Sequence, residues 1–280
     1  MSGATLVTAE LEVEGVLTDA SNLTARVLLT DAAGEPTGER ALYKPIRGEA
    51  PLRDFPARTL GRREVAAFLV SSVGGWDLIP QTVLRDGPLG PGSVQRWIDW
   101  ESTGRGPGAG LLEVFPDGAV PDGWLPVVQG EAADGSPVTV GHADTTDLAS
   151  LAVLDVVLNN ADRKGAHLVR DADGHLWGFD HGLTLHTDDK LRTVLWGWAG
   201  LPLPEEDMGR LGRLRAELAA GGSLATPLTE PVGDLLGDDT GGLVSAGELV
   251  ALRARVDRLL ADPVFPALPT GRYPLPWPLW

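Results

Sequence analysis

Residues 158–182, LNNADRKGAHLVRDADGHLWGFDHG, constrain the fold more than any other stretch of this chain. Two short apolar runs, HLVR and LWGF, flank DADG. Asp-Gly between such runs is a favoured tight turn, so a hairpin is predicted over 167–179 with a loop on either side. Upstream, Leu148, Leu151, Leu154 and Leu158 recur at helical spacing behind Asp144 and Thr145, either of which suits an N-cap. Asn159 and Asn160 stand where asparagine commonly ends a helix. The order helix, loop, hairpin, loop puts Asp162 and Asp180 at the two open ends of one small hairpin.

The first hundred residues have a different pattern. LEVEGVL, LTARVLL and ERALYKPI read as three strands of an antiparallel meander, separated by TDASN and by the turn DAAGEPTG. GRREVAAFLVSSV then reads as a helix with Val65, Phe68, Leu69 and Ser72 on its buried face and Glu64 at the edge of that stripe. LIPQTVLRDG and GSVQRWID make a further strand pair. The glycine-rich run over 99–110 suits a hinge, and residues 111–141 carry little periodic signal. In SAGELVALRARVDRLL, Ser245 and Glu248 form a capping-box signature ahead of a stripe at Leu249, Leu252, Val256 and Leu259. RYPLPWPLW has too many prolines to be helical. The prediction is an α+β fold of two lobes: a β-rich N-terminal lobe with one helix over 1–100, and a mainly helical C-terminal lobe over 101–280.

Composition removes several classes of function. The 280 residues include no cysteine, which excludes disulfides, thiolate metal sites and cysteine nucleophiles. A formal net charge of −16 opposes nucleic acid and anionic lipid surfaces, which are bound chiefly through Lys and Arg. No apolar run approaches the ~20 residues that span a bilayer, and residues 1–12 lack the features of a signal peptide. A cytoplasmic protein with neither a nucleic-acid partner nor integral membrane association is expected. Of the 23 basic residues only Lys44, Lys164 and Lys190 are lysines. Where arginine serves elsewhere, a lysine hints that a compact point charge is wanted.

Phosphoryl transfer needs a cation on the nucleotide phosphates, a carboxylate to orient it, a metal held by oxygens, and a carboxylate that receives the acceptor's proton. Lys44, Glu64, Asp180 and Asp162 offer these groups. YKP at 43–45, ADRKGAH at 161–167 and GFDHGL at 178–183 resemble, respectively, the phosphate-binding lysine strand, the D-R-x-x-x-N catalytic loop and the I-D-x-G metal segment of the protein-kinase-like superfamily. The likeness is to its phosphatidylinositol 3-/4-kinase-related branch, in bacterial members of unassigned substrate. It follows the element order from about residue 10 to 200 and is tight at those three places.

The resemblance implies ATP with Mg²⁺ or Mn²⁺, and an unknown soluble acceptor. By it, Lys44 contacts the nucleotide phosphates and Glu64 pairs with Lys44. Asp162 is the base, Lys164 meets the transferred phosphate, and Asp180 holds the metal. Ser21 and Asn22 lie where such folds place a phosphate-covering loop. Gln95 and Trp97 lie at the hinge, where Trp97 would flank adenine. Asn160 either caps the helix or reaches the metal. His167 departs from the pattern, since that position normally supplies an amide oxygen. It either ligates a softer ion such as Mn²⁺, hydrogen-bonds a phosphate or Asp180, or marks a reduced site. If it ligates, protonation near its ordinary pKa of about 6.5 would displace the ion. A reduced site is what a pseudokinase, a nucleotide-binding regulatory protein with little turnover, would display. The histidines show no helical H-x-x-x-H pairing for a hydrolytic metal centre, and DADG lacks the further ligands of a calcium loop.

Overall fold

Alternation along the first strands decides how they pair. In β3 (Pro36–Pro45), Ala41 and Tyr43 are buried on one face while Lys44, between them and the next turn, stands on the other. These strands belong to a computed structural model that describes residues 3–17, 22–100, 104–236 and 241–280. β1 (Glu10–Leu17), β2 (Thr24–Thr30) and β3 form the expected meander, and β4 (Thr82–Gly87) and β5 (Gly90–Arg96) extend it into an antiparallel sheet of order β1-β2-β3-β5-β4. A short helix, α1 (Gly3–Thr8), covers one face, with Leu6 and Ala9 in the same buried cluster as Val27, Tyr43 and Val94. No capping or periodic signal in the sequence announced that helix. Gly92 is required where β5 passes Lys44, because a Cβ there would lie 2.4 Å from the Lys44 carbonyl oxygen.

α2 (Leu60–Gly74) follows, and its orientation corrects the expectation. Val65 is buried, but Ser72 is exposed and Phe68 and Leu69 are only partly covered. The covered surface runs through Glu64, Ala66, Ala67, Val70 and Ser71. Small residues let this helix pack on several sides at once, so no single stripe betrays its orientation. α2 joins the large core built from later elements, and only its Leu60 end lies in a smaller cluster with Phe55 and Ala161.

The region from 111 to 141, which gave little signal, contains β6 (Leu112–Pro116), β7 (Trp124–Glu131) and β8 (Pro137–Ala143) in the order β6-β8-β7. β6 and β7 are largely half-buried or exposed, which blurs their alternation. α3 (Thr146–Leu158) is almost wholly buried. Thr145, one of the two predicted candidates, is its N-cap residue, but the Thr145 hydroxyl donates to Asp147 at 2.7 Å, and it is Asp147 that accepts from the Leu148 amide at 2.9 Å. The hairpin β9 (Leu168–Arg170) and β10 (Leu176–Gly178) forms as predicted. α4 (Glu205–Leu218), α5 (Ala225–Thr229) and α6 (Ala246–Ala261) complete the helices, and α6 starts in the expected capping box of Ser245 and Glu248. Residues 262–280 contain no helix. No described helix is long and apolar enough to cross a membrane.

His142 on β8 ties the second sheet to the turn at 196–198. Its Nε2 accepts from the Gly197 amide at 3.0 Å, and its ring packs 4.1 Å from that of Trp198. Nδ1 lies 3.0 Å from the Ala143 carbonyl, so the neutral tautomer carries its proton there. Burial pushes the imidazole pKa down to about 4. The unfolded chain therefore takes up this proton first, so the stabilisation is complete above about pH 6.5 and is lost as pH falls toward about 4. The shift corresponds to on the order of 3 kcal/mol. Urea denaturation at pH 7 and pH 4.5 is expected to show a larger loss for the wild type than for His142→Gln. Equal losses would contradict this assignment.

Candidate active site

The site is built around the Lys44 ammonium. β3 carries it to the sheet face opposite Tyr43, where Nζ lies 2.6 Å from Glu64 Oε1 and 2.9 Å from Asp180 Oδ1. Glu64 is held in turn, its second oxygen accepting from the His181 amide at 3.1 Å. One carboxylate thus joins the strand, α2 and the segment after the hairpin. Asp180 is held at φ 55°, a left-handed backbone conformation that few residues other than glycine adopt. Such strain concentrates where a side chain has a job to do.

On the other side of the hairpin, the loop bearing Asp162 hangs from Arg163, which is fully buried. Its guanidinium donates to Asp155 of α3 through Nε at 2.8 Å and Nη2 at 2.9 Å. Nη1 reaches the carbonyls of Phe179 at 2.9 Å and His167 at 3.3 Å, and Nη2 reaches His181 Nε2 at 2.7 Å. All five donors are engaged. Asn160 lies behind this pair, fully buried, donating to Asp155 at 2.9 Å and accepting from the Asp162 amide at 3.0 Å. Both ends of its amide are thereby occupied within the protein. Asn159 caps α3 in the left-handed conformation, φ 54°, and donates to the Asp188 carbonyl at 2.7 Å. Asp162 itself is partly open, with the Lys164 ammonium 3.2 Å away.

Electrostatics separate the carboxylates. Lys44 holds Asp180 far below the usual carboxylate range. Burial pushes Glu64 up, and Lys44 pulls it partly back. Burial opposes the charge on Lys44, but Asp180 and Glu64 outweigh it and keep the ammonium charged. Asp162 is raised by burial, Lys164 opposing. A raised carboxylate beside a firmly ionised one is the pattern of a proton acceptor next to a cation ligand.

His167 lies with Nε2 3.4 Å from Asp180 Oδ2, while its Nδ1 is buried without a hydrogen-bond partner. Burial pushes its pKa down to about 4, so the protonation expected near 6.5 is displaced and the ring is neutral at neutral pH. A neutral imidazole nitrogen and an ionised carboxylate oxygen 3.4 Å apart are both groups that could serve as donors to a divalent cation. Among the described residues no three His, Asp or Glu side chains gather closely enough to hold one alone. Magnesium-type sites commonly combine one or two protein groups with substrate phosphates.

Other residues singled out in the sequence are placed differently. Gln95 shares the Lys44 face of the sheet, through the register Leu42↔Gln95 and Lys44↔Ser93, but its amide donates to Thr82 Oγ1 at 2.8 Å. The Trp97 amide pairs with the Arg40 carbonyl, and Arg26 stands 5.5 Å over its ring. Asn22 accepts from the Ala50 amide at 2.7 Å, tying the loop to the segment after β3. Ser21 lies outside the described residues. Sequence reading did not name Asp155, Arg163 or His181 as parts of the site, though the D-R of the catalytic loop was the signal that could have found the arginine.

No family model matches the chain. Protein Rv2133c of Mycobacterium tuberculosis is 42% identical over 279 residues, spanning 98% of this chain and 94% of that protein. The structure of hydra Fam20 with sugar superposes with a TM-score of 0.50 at 11% identity, covering 92% of this chain and 86% of that one. The Helicobacter pylori proinflammatory kinase CtkA gives 0.45 at 10% identity, covering 92% and 94%. At these identities the likeness concerns architecture alone. The fold is α+β, as the element order predicted, and kinase-like, as the resemblance of the three motifs implied.

The buried pair at the loop's root can be tested without any ligand. Replacing one member of such a pair leaves an uncompensated buried charge and costs about 3–5 kcal/mol. Arg163→Leu is expected to lose stability of that size in chemical denaturation. A loss below about 1 kcal/mol would show that the pair is not what holds the loop.

Proposed function

This chain belongs to the same family as Protein Rv2133c of Mycobacterium tuberculosis, and from the site's geometry and the kinase-like fold we propose an ATP- and divalent-metal-dependent phosphotransferase that acts on a hydroxyl of a soluble protein or small molecule. One observation carries the reading: a single ammonium, Lys44, bridges Glu64 and Asp180 from three separate elements. The three motifs that resemble the phosphatidylinositol 3-/4-kinase-related branch support ATP as the donor. Residues 1–100 form the nucleotide-binding lobe in this reading and 101–280 the catalytic, metal-binding lobe.

ATP, bound with its metal, supplies the γ-phosphoryl group. Lys44 holds the phosphates, and Glu64 fixes where its ammonium points. Asp180 and His167 would hold the ion through an oxygen and a nitrogen donor. Asp162 accepts the proton of the acceptor hydroxyl as that oxygen bonds to the γ-phosphorus and the bond to the leaving ADP breaks. Lys164, beside Asp162, offsets charge on the transferred group. The net charge of −16 weighs against an anionic membrane lipid as acceptor. His167, in place of the amide of the resembled motif, favours a second reading, a pseudokinase with little turnover. Asp162 separates the two readings.

Lys44→Ala is expected to weaken Mg-ATP binding in calorimetry at least tenfold without loss of fold; equal affinity would remove Lys44 from the nucleotide site. Asp162→Asn is expected to keep nucleotide affinity and lower turnover by about 10²–10⁴, the usual contribution of a positioned base. Asp180→Asn is expected to lose metal-dependent binding as well. Equal rates in wild type and Asp162→Asn would favour the pseudokinase. Imidazole suits Mn²⁺ better than Mg²⁺, so calorimetric binding of each ion in the presence of nucleotide should show a Mn²⁺ preference that His167→Asn shifts toward Mg²⁺. An unchanged preference would remove His167 from the ion.

A further inference from the structure

Residues 272–280 take no part in the chemistry described so far, yet they lie against the catalytic loop. Arg272 donates to the Leu191 carbonyl and, at 3.0 Å, to Asp189. The Pro274 carbonyl accepts from the Thr193 amide at 3.2 Å and from the Trp196 indole at 2.9 Å. Leu275 is buried in the main core. The segment ends on the loop itself, where the Gly165 amide donates to the Leu279 carbonyl at 2.8 Å.

A side chain at Gly165 would crowd its neighbours. A Cβ there would meet Leu112 Cδ2 at 2.8 Å and the Trp280 indole, Cδ1 and Nε1, at 3.1 Å. From a further element, the Gly108 amide donates to the Leu168 carbonyl at 2.7 Å, and a Cβ on Gly108 would lie 2.9 Å from the Gly165 oxygen. The turn that follows Asp162 and Lys164 is thus clamped between the glycine-rich segment near 108 and the segment ending at Trp280. Arg272, Pro274 and Leu275 already anchor that segment. Trp280 itself is 41% exposed. What it adds is a rigid plane against Gly165.

We propose that Trp280 is a positioning residue for the catalytic loop, pressing Gly165 so that Asp162 and Lys164 keep their working geometry. The inference deepens the phosphotransferase reading and rests on it. Misplacing a reacting group by about 1 Å can cost ~10²-fold in rate; of the groups assigned to nucleotide and ion only His167 shares the Gly165 turn, while Lys44, Glu64 and Asp180 are held by contacts outside it.

Trp280→Ala and Trp280→Phe in the full chain test this. The alanine variant is expected to lose 10- to 100-fold in kcat for ATP turnover with an ATP KM within about twofold of wild type, and phenylalanine to restore most of the loss. Hydrogen–deuterium exchange is expected to quicken at the amides of 165–168 in Trp280→Ala while α3 and α6 stay protected. Unchanged turnover, or an equal loss in kcat and nucleotide affinity that phenylalanine does not restore, would overturn the proposal. A wild type that turns over no ATP would sink the phosphotransferase reading instead. The exchange measurement then decides alone: faster exchange at 165–168 upholds the clamp, and unchanged exchange overturns it.

Discussion

The site depends first on a charge that water does not reach. Arg163 is the hub: it pairs with Asp155 on α3, holds two carbonyls of the hairpin strands' flanks, and meets His181 next to Asp180. A buried ion pair is poor evidence for stability, because removing two charges from water costs about as much as their attraction returns. Its use here is geometric. A planar guanidinium with every donor occupied admits one arrangement of loop, hairpin and helix, and so fixes where Asp162 and Asp180 stand relative to each other.

The second constraint is the cluster that Lys44 gathers. Glu64 and Asp180 are ~3 Å or less from one ammonium, and each lies on an element that the main chain reaches independently. The Glu64 contact to the His181 amide closes the circuit, so movement of α2 would disturb Lys44 and the Asp180 segment together. Without a cation between them the two carboxylates would repel. With it, Asp180 stays ionised while burial raises Glu64 and Asp162.

What could be read in the sequence follows from how far each contact reaches along the chain. The hairpin and its two aspartates were legible because DADG and its flanking runs are local signals. The lysine strand was legible through alternation. Contacts across the fold were not. Asp155 and Arg163 are only eight residues apart, but nothing in a leucine-rich helix says that the acid near its end turns toward the following loop. Nothing local marks Gly165, since its neighbour Trp280 lies over a hundred residues away in the chain. The strands of 112–143 were missed because half-exposed strands broken by Pro and Gly dilute the period-two pattern. α2 was misoriented because alanines and serines pack on any side.

A structure of the protein with a non-hydrolysable ATP analogue and Mn²⁺ tests the central claim most directly. The account predicts phosphates against Lys44 and the ion between Asp180 and His167, with Asp162 facing the terminal phosphate. An analogue bound elsewhere, with nothing between Lys44 and Asp180, would contradict it.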